Sequence, residues 1–145
     1  IKARRETAHE KPMFRNAWKQ RRGVIPAEGW YEWMNTPQGK VPWYHYHMDE
    51  SICYMAVLWE SWNHAGSALE SFSILTTEAN EDCMEIHQRM PVLIEAHEIQ
   101  AWLSGSLVLT PTSEGRVDRH PVSQNVNNAT NEGRELVKPI PRLFD

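Results

Sequence analysis

The feature that most constrains the fold is a series of short strand-like segments within residues 23–80. Aromatic and β-branched residues are frequent in GVIPAEGWYEWM, VPWYHYHM, SICYMAVLWESW and SFSILTTEAN, which are separated by polar turns such as TPQGK. Such segments favour extended structure over long helices. Pro26 and Gly29 interrupt the first segment, so we interpret it as a strand, a bend and a second strand. The pattern predicts a strongly bent, mostly antiparallel sheet.

Helices are predicted only around the edges of this region. One short helix is expected over residues 13–20, after Pro12, and another over residues 78–86. In VLIEAHEIQAWL the apolar residues recur at helical spacing, and Gly105 offers a stop. The chain has 145 residues, of which 41% are hydrophobic, which is enough for one domain with a substantial core. We therefore expect an α+β fold with a barrel-like sheet and a few flanking helices, forming a single domain over residues 1–145.

Composition narrows the setting in which the protein works. No apolar run approaches the roughly 20 residues that a membrane span needs, and the start of the chain does not have the pattern of a signal peptide. Cys53 and Cys83 are too few and too irregularly placed for a disulfide framework or a zinc site. We expect a cytoplasmic protein in a reducing compartment, without membrane contact.

Positive charge is concentrated at the start of the chain. Residues 1–22 hold eight Lys and Arg against two Glu, a net charge of +6, so the total of −4 leaves −10 for the remainder. A basic strip on an acidic protein is typical of a surface that contacts phosphates, because binding depends on local charge. A solvated basic helix would give the same pattern, and the charges alone do not separate the two.

Glu32 is the first candidate for chemistry, since it lies between Tyr31 and Trp33. A carboxylate among aromatic rings loses water, which raises its pKa and suits it to proton transfer near neutral pH. The alternative is that Glu32 points outward on an edge strand while its neighbours point inward.

The segment EIHQRMPVLIE places His87 and Arg89 at the start of an apolar element, where both could also be ordinary loop residues. His45 and His47 share one face of a predicted strand and have the spacing of metal ligands, but no third ligand follows. We interpret them as packing residues and predict no metal site. Cys83 lies four residues before His87 without a third group to orient the pair, so it is not predicted to be a nucleophile.

Several stretches occur together in an order that resembles the SRAP family, the SOS response-associated peptidase domain. They are ARRET, KPMFR, RRGVIPAEGWYEW, ILTTEAN, IHQRMPVLI and PVSQNVNN, and they extend over nearly the whole chain. The resemblance implies a protein that senses abasic sites in single-stranded DNA. It also implies that an N-terminal cysteine condenses, through its α-amine and thiol, with the ring-opened sugar to form a thiazolidine DNA–protein crosslink, and that an autopeptidase activity exposes this cysteine.

Carried over residue by residue, the resemblance assigns catalytic roles to Glu32 and His87. Glu32 would move a proton to and from the attacking amine, and His87 would protonate the sugar oxygen so that the ring opens. Arg4 and Arg89 match arginines that hold the flanking phosphates, and Thr76 borders the same pocket. We expect Glu32 and His87 to face each other, and the basic strip and Arg89 to form one groove. No cofactor is implied, and a monomer, nucleoid-associated when bound to DNA, is expected.

Two departures from the family pattern affect this interpretation. The family's cysteine and first strands come before anything in this sequence, so we expect the chain to lack the N-terminal segment of the domain. Lys2 stands where the family has asparagine, and by register it should lie near Glu32 and His87. Its amine could form a Schiff base with an abasic site, or it could only add charge for phosphate binding.

Two other classes of function stay open from the sequence. The same groove could belong to a non-catalytic module that binds single-stranded or modified DNA. A peptidase acting on other proteins is the third alternative, but the sequence offers no serine or cysteine with a partnered base.

Overall fold

The computed structural model of the protein describes residues 1–141 and consists mainly of strands. The strands are β1 (Lys2–Arg4), β2 (Arg22–Ala27), β3 (Trp30–Thr36), β4 (Gly39–His47), β5 (Cys53–His64), β6 (Ser67–Glu78), β7 (Arg89–Pro91), β8 (Leu93–Ile94) and β9 (Val117–Pro121). The helices are α1 (Arg15–Gln20) and α2 (Ile99–Ser104), with 3-10 turns at Ala96–Glu98, Gln124–Asn127 and Arg134–Val137. The predicted α+β class is confirmed.

The strands form two sheets that together make a strongly curled half-barrel. The larger sheet has the order β1, β6, β5, β2, with β7 paired to β6 and β8 paired to β5. The smaller sheet has the order β3, β4, β9. All pairs are antiparallel except β1 and β6, which run parallel with Lys2 opposite Ile74 and Arg4 opposite Thr76.

Gly29 separates β2 from β3 and so moves the chain from the larger sheet to the smaller one. A Cβ atom at this position would lie 2.2 Å from the carbonyl oxygen of His45 and 2.5 Å from the ring of Tyr44. Only glycine allows this close approach of β4. The bend predicted at this position therefore depends on the missing side chain.

Two apolar clusters fill the interior. The first surrounds Trp102, which is fully buried and donates its indole N–H to the carbonyl oxygen of Gly23 at 2.8 Å. Ala3, on β1, is also fully buried in this cluster. The second cluster contains Trp30 and both cysteines, and its residues come from strands of both sheets.

The prediction of a helix over residues 78–86 is wrong. β6 continues to Glu78, and the chain then makes successive turns up to Ile86. Asn80 accounts for the difference. Its side-chain amide donates to the carbonyl oxygens of Thr112 and Ser113, at 3.2 and 3.1 Å, which fixes the segment to a distant loop. Side-chain bonds of this kind compete with helix formation.

The other predicted helices are present but shorter. The helix predicted over residues 13–20 is α1, Arg15–Gln20. In VLIEAHEIQAWL, the residues Leu93–Ile94 pair with β5, so α2 begins only at Ile99. Gly105 ends α2 in the left-handed conformation, with a φ of 88°, as predicted. No helix within residues 1–141 has the length and apolar character needed to cross a membrane.

Candidate functional site

Glu32 and His87, 55 positions apart in the sequence, lie side by side. Glu32 is on β3, opposite Trp43 of β4, and His87 follows the turns between β6 and β7. Oε2 of Glu32 is 3.9 Å from Nδ1 of His87. The two side chains line one cavity of about 390 Å³ together with Trp33, Asn35 and Lys40. The expected juxtaposition is thus present, and Glu32 points into the fold and not outward.

The backbone after His87 fixes the orientation of its ring. The amide N–H of Arg89 donates to Nδ1 of His87 at 3.1 Å, so in the neutral ring the proton resides on Nε2. Nδ1 also lies 3.0 Å from the carbonyl oxygen of Arg89, to which an imidazolium would donate. The Glu32 carboxylate lies beside this fixed ring, with Oε2 at 3.9 Å from Nδ1.

Burial raises the pKa of the Glu32 carboxyl above its ordinary value, while the positive charges of Lys2 and His87 oppose the rise. The Glu32 residue is only 8% exposed, which explains why loss of water dominates. A carboxyl group of this kind can hold and release a proton closer to neutral pH than a solvated one.

Lys2 reaches the same site from β1. Its Nζ is 4.0 Å from Oε1 of Glu32, whereas His87 lies near the other carboxylate oxygen, Oε2. The Lys2 side chain is 60% exposed, so it approaches the carboxylate from the solvent side. Lys2 therefore lies close to Glu32, as the register of the resemblance predicts.

Arg89 is held by the protein more tightly than expected for a residue that binds phosphate. Nη1 and Nη2 donate to the two carboxylate oxygens of Glu6 at 3.1 and 2.9 Å. Nη2 and Nε also donate to the carbonyl and hydroxyl oxygens of Thr76. Of the five N–H groups of a guanidinium, these contacts leave one, on Nη1, for a ligand.

Thr76 contacts Arg89 and does not line the cavity of Glu32 and His87. The threonine is 5% exposed, and its hydroxyl accepts from Nη2 of Arg89 at 3.1 Å. It also lies opposite Arg4 in the pairing of β1 with β6. The position of Thr76 therefore determines where both arginines lie.

Three arginines converge on Glu6, and we call this group the arginine cluster: Arg4, Arg5 and Arg89. The distances from Glu6 to Arg4 and Arg5 are 3.9 and 3.6 Å, in addition to the bidentate contact with Arg89. Hydrogen bonding and charge from Arg89 hold the pKa of the Glu6 carboxyl below its ordinary value. The side chain of Arg4 is 68% exposed, which makes it the member most open to a ligand.

The basic residues among positions 1–22, the basic strip, have different partners. Arg21 pairs with Glu60 at 2.9 Å on β5, and the guanidinium of Arg22 lies over the rings of Trp18 and Trp102. The carboxylate of Glu60 offsets the charge of Arg21. Arg4 and Arg5 lie beside Arg89 through their shared contacts with Glu6, and one groove formed by the whole strip stays a prediction.

Other candidates from the sequence are structural. His45 is fully buried, stacks on Trp30 with 5.2 Å between ring centroids, and burial lowers its pKa to about 4. Burial also raises the pKa of Cys83 to about 12, which leaves its thiol protonated. Within residues 1–141, no group of three or more His, Cys, Asp or Glu has the arrangement of a metal site.

Glu6 and Lys40 are site residues that the sequence did not single out. Glu6 lies 83 positions from Arg89, and no local pattern indicates the pairing. Lys40 follows the turn between β3 and β4 and adds a positive charge to the cavity of Glu32. The alternating pattern of the sequence could have predicted that β4 pairs with β3. It could not have predicted that Lys40 shares a cavity with His87.

Comparison with known proteins identifies the family of the chain. Residues 1–129 match the family described as SOS response associated peptidase (SRAP). The chain is 30% identical to the abasic site processing protein YedK of Escherichia coli (strain K12) over 97% of its own length and 67% of that protein. It is 33% identical to the abasic site processing protein YoqW of Bacillus subtilis (strain 168), over 95% of its length and 66% of the relative.

A vertebrate relative and a solved structure are also similar to this chain. The abasic site processing protein HMCES of Gallus gallus is 31% identical over 84% of this chain and 44% of that protein. A crystal structure of a protein from Bacteroides thetaiotaomicron superposes with a TM-score of 0.86 at 29% identity, over 97% of this chain and 66% of that one. This chain thus spans about two thirds of the bacterial relatives and belongs to the SRAP family.

Proposed function

We propose that the protein recognises abasic sites in single-stranded DNA and, as a whole protein, joins them covalently through an N-terminal cysteine. The observation that carries the proposal is the contact of Glu32 with His87, at 3.9 Å, in one cavity. The strand whose Lys2 reaches Glu32 also carries the exposed Arg4. Support comes from relatives that are described as abasic site processing proteins.

The pair of Glu32 and His87 supplies the proton transfers. The sugar at an abasic site is mostly closed. His87 donates a proton to the ring oxygen as the C–O bond to the anomeric carbon breaks, and the anomeric hydroxyl gives up its proton to water and becomes the aldehyde oxygen. Glu32 accepts a proton from the attacking amine, and later donates one to the hydroxyl that leaves as water when the imine forms. Addition of the thiol to the imine carbon then closes the thiazolidine, and the thiol proton passes to the ring nitrogen.

The nucleophile is assigned to the N-terminus of the whole protein and not to this chain's own cysteines. Cys53 and Cys83 are both buried, and burial raises the pKa of each thiol. An autopeptidase step that exposes the N-terminal cysteine belongs to the same proposal, and follows the family description.

The decisive experiment incubates the whole protein with matched oligonucleotides that carry an abasic site or an intact base. A heat-stable adduct with the abasic strand alone is expected, and Glu32→Gln should slow its formation while leaving strand binding intact. Selective binding without an adduct would instead support the second candidate, a non-catalytic module for abasic or modified single strands.

Lys2 gives the site a second amine, 4.0 Å from Glu32. Its addition to the aldehyde would release water and leave a reversible imine, with Glu32 as the proton acceptor. Borohydride reduction tests this step. An adduct that maps to Lys2 and is lost in Lys2→Asn supports imine formation, whereas an adduct confined to the terminal α-amine leaves Lys2 as a charge that attracts phosphate.

A further inference from the structure

A second cavity, of about 360 Å³, opens beside the arginine cluster. Arg5 and Glu6 belong to its wall and also to the cluster, so the two features are continuous. The remaining wall comes from the turn after β1, from α1, from the first residue of β2 and from α2's C-cap and the loop that follows it. The residues used below are His9, Trp18, Arg22 and Val108.

Two guanidinium groups of this cavity are fixed largely by neutral groups. Arg22 donates to the carbonyl oxygens of Trp18 and Trp102, at 2.7 and 3.3 Å, and takes part in none of the ion pairs formed within residues 1–141. Arg5 donates to the hydroxyl of Thr77 at 3.1 Å, and its Nη2 lies 3.6 Å from Glu6. Much of their positive charge is therefore available to an anion in the cavity.

Aromatic rings form another part of the wall. The rings of His9 and Trp18 lie with centroids 6.0 Å apart and planes inclined by 59°. Trp18 is fixed from behind by an edge-to-face contact with Trp102, at 5.6 Å. Rigid aromatic faces next to arginines are typical of surfaces on which unpaired bases stack.

We propose that this cavity is a nucleotide subsite that binds a nucleotide flanking the lesion. Its base would lie against Trp18 and His9, and its phosphate near Arg5 and Arg22. The inference rests on the proposed function, because a strand whose phosphate lies on the arginine cluster continues directly into the cavity. It also gives a role to Arg22, which the site of Glu32 and His87 leaves unused.

Binding of oligonucleotides of increasing length tests the subsite on the intact protein. The shortest strand carries a stable abasic analogue with one nucleotide on each side, and longer strands add three nucleotides on the 5′ side or on the 3′ side. We expect extension on one side to tighten binding by about tenfold, as stacking of a base would. Equal, small gains from both sides would overturn the proposal.

Val108 provides the matched variants, because it is 83% exposed at the rim of the cavity and its replacement does not disturb the core. Val108→Asp should abolish the gain from extension by repelling the phosphate, and Val108→Asn should keep it. Asn63→Asp adds the same charge to the exposed end of β5 and should also keep it. If Val108→Asp retains the gain, the subsite is not in this cavity.

His9→Ala tests the stacking surface separately, since His9 is exposed and thermal melting can verify that the fold is unchanged. The gain from extension should fall several-fold, and an unchanged gain would contradict the stacking role. Failure of the subsite is distinguishable from failure of the proposed function. In the first case the shortest abasic strand still binds better than its undamaged counterpart, and in the second case it does not.

Discussion

Arg4 and Arg89 should differ sharply in what they contribute when a strand binds. Arg4 is 68% exposed, whereas the Arg89 side chain is 20% exposed and uses four N–H contacts on Glu6 and Thr76. We therefore expect Arg4→Gln to weaken DNA binding without affecting stability. Arg89→Gln should destabilise the fold, because the buried hydroxyl of Thr76 loses its donor and Glu6 loses its bidentate partner.

The salt dependence gives the magnitude for Arg4. Each phosphate neutralised in a single strand contributes about −0.7 to the slope of log affinity against log salt. Loss of one such contact should reduce the slope by about that amount. Between about 50 and 200 mM salt, the ratio of wild-type to Arg4→Gln affinity should shrink by about 2.6-fold.

For Arg89→Gln we expect the free energy of unfolding to fall by about 1–3 kcal/mol, the cost of leaving the buried hydroxyl of Thr76 without its partner. Fluorescence anisotropy with a labelled abasic oligonucleotide across a salt series measures the first effect, and urea denaturation the second. A constant affinity ratio at all salt concentrations would refute the phosphate contact of Arg4. An unchanged unfolding midpoint for Arg89→Gln would refute its structural role.

Three further predictions follow from Glu32, Gly29 and Lys2. Burial raises the pKa of Glu32, so the folded state binds its proton more tightly than the unfolded state. Glu32→Gln should therefore stabilise the protein near neutral pH. In denaturation experiments this gain in stability should disappear below about pH 4, where the carboxyl is protonated in both states. Gly29→Ala should cost about 1–3 kcal/mol or more, seen as a lower melting temperature, because its Cβ would lie 2.2 Å from the carbonyl oxygen of His45. Lys2→Asn removes a charge that lowers the pKa of Glu32, so the pH profile of adduct formation should move to higher pH; an unmoved profile would separate Lys2 from the proton transfer.

Much of the strand content could be predicted because alternation and turn residues act locally. The extended segments within residues 23–80 correspond to β2 to β6. The strands β1, β7, β8 and β9 are outside the predicted set. The first three have only two or three residues, which is too short for periodicity, and such strands form only where a longer strand accepts them. The turns after β6 also depend on a contact between distant parts of the sequence, because Asn80 bonds to a loop more than 30 positions away. The local sequence therefore predicts a helix where the structure has turns.

The site residues also differ in how far the sequence predicts their positions. Glu32 and His87 were identified through motifs that match a family, and the spacing of 55 residues carries no information about their contact. Desolvation of Glu32 was predictable from its aromatic neighbours, and burial does raise its pKa. The contact of Glu6 with Arg89 depends on how β1 docks against β6, which is a tertiary property without a local signal.

The docking of β1 connects the two parts of the site. In a strand, residues two apart lie on the same side and about 6.5–7 Å from each other, so Lys2 and Arg4 project together while Ala3 points into the core. Lys2 reaches Glu32, and Arg4 lies beside Thr76 and Glu6. Because Ala3 is fully buried, a larger side chain there would displace the strand and move Lys2 and Arg4 together. In the proposed function, the charge beside Glu32 and the exposed phosphate-binding arginine therefore depend on the same buried alanine.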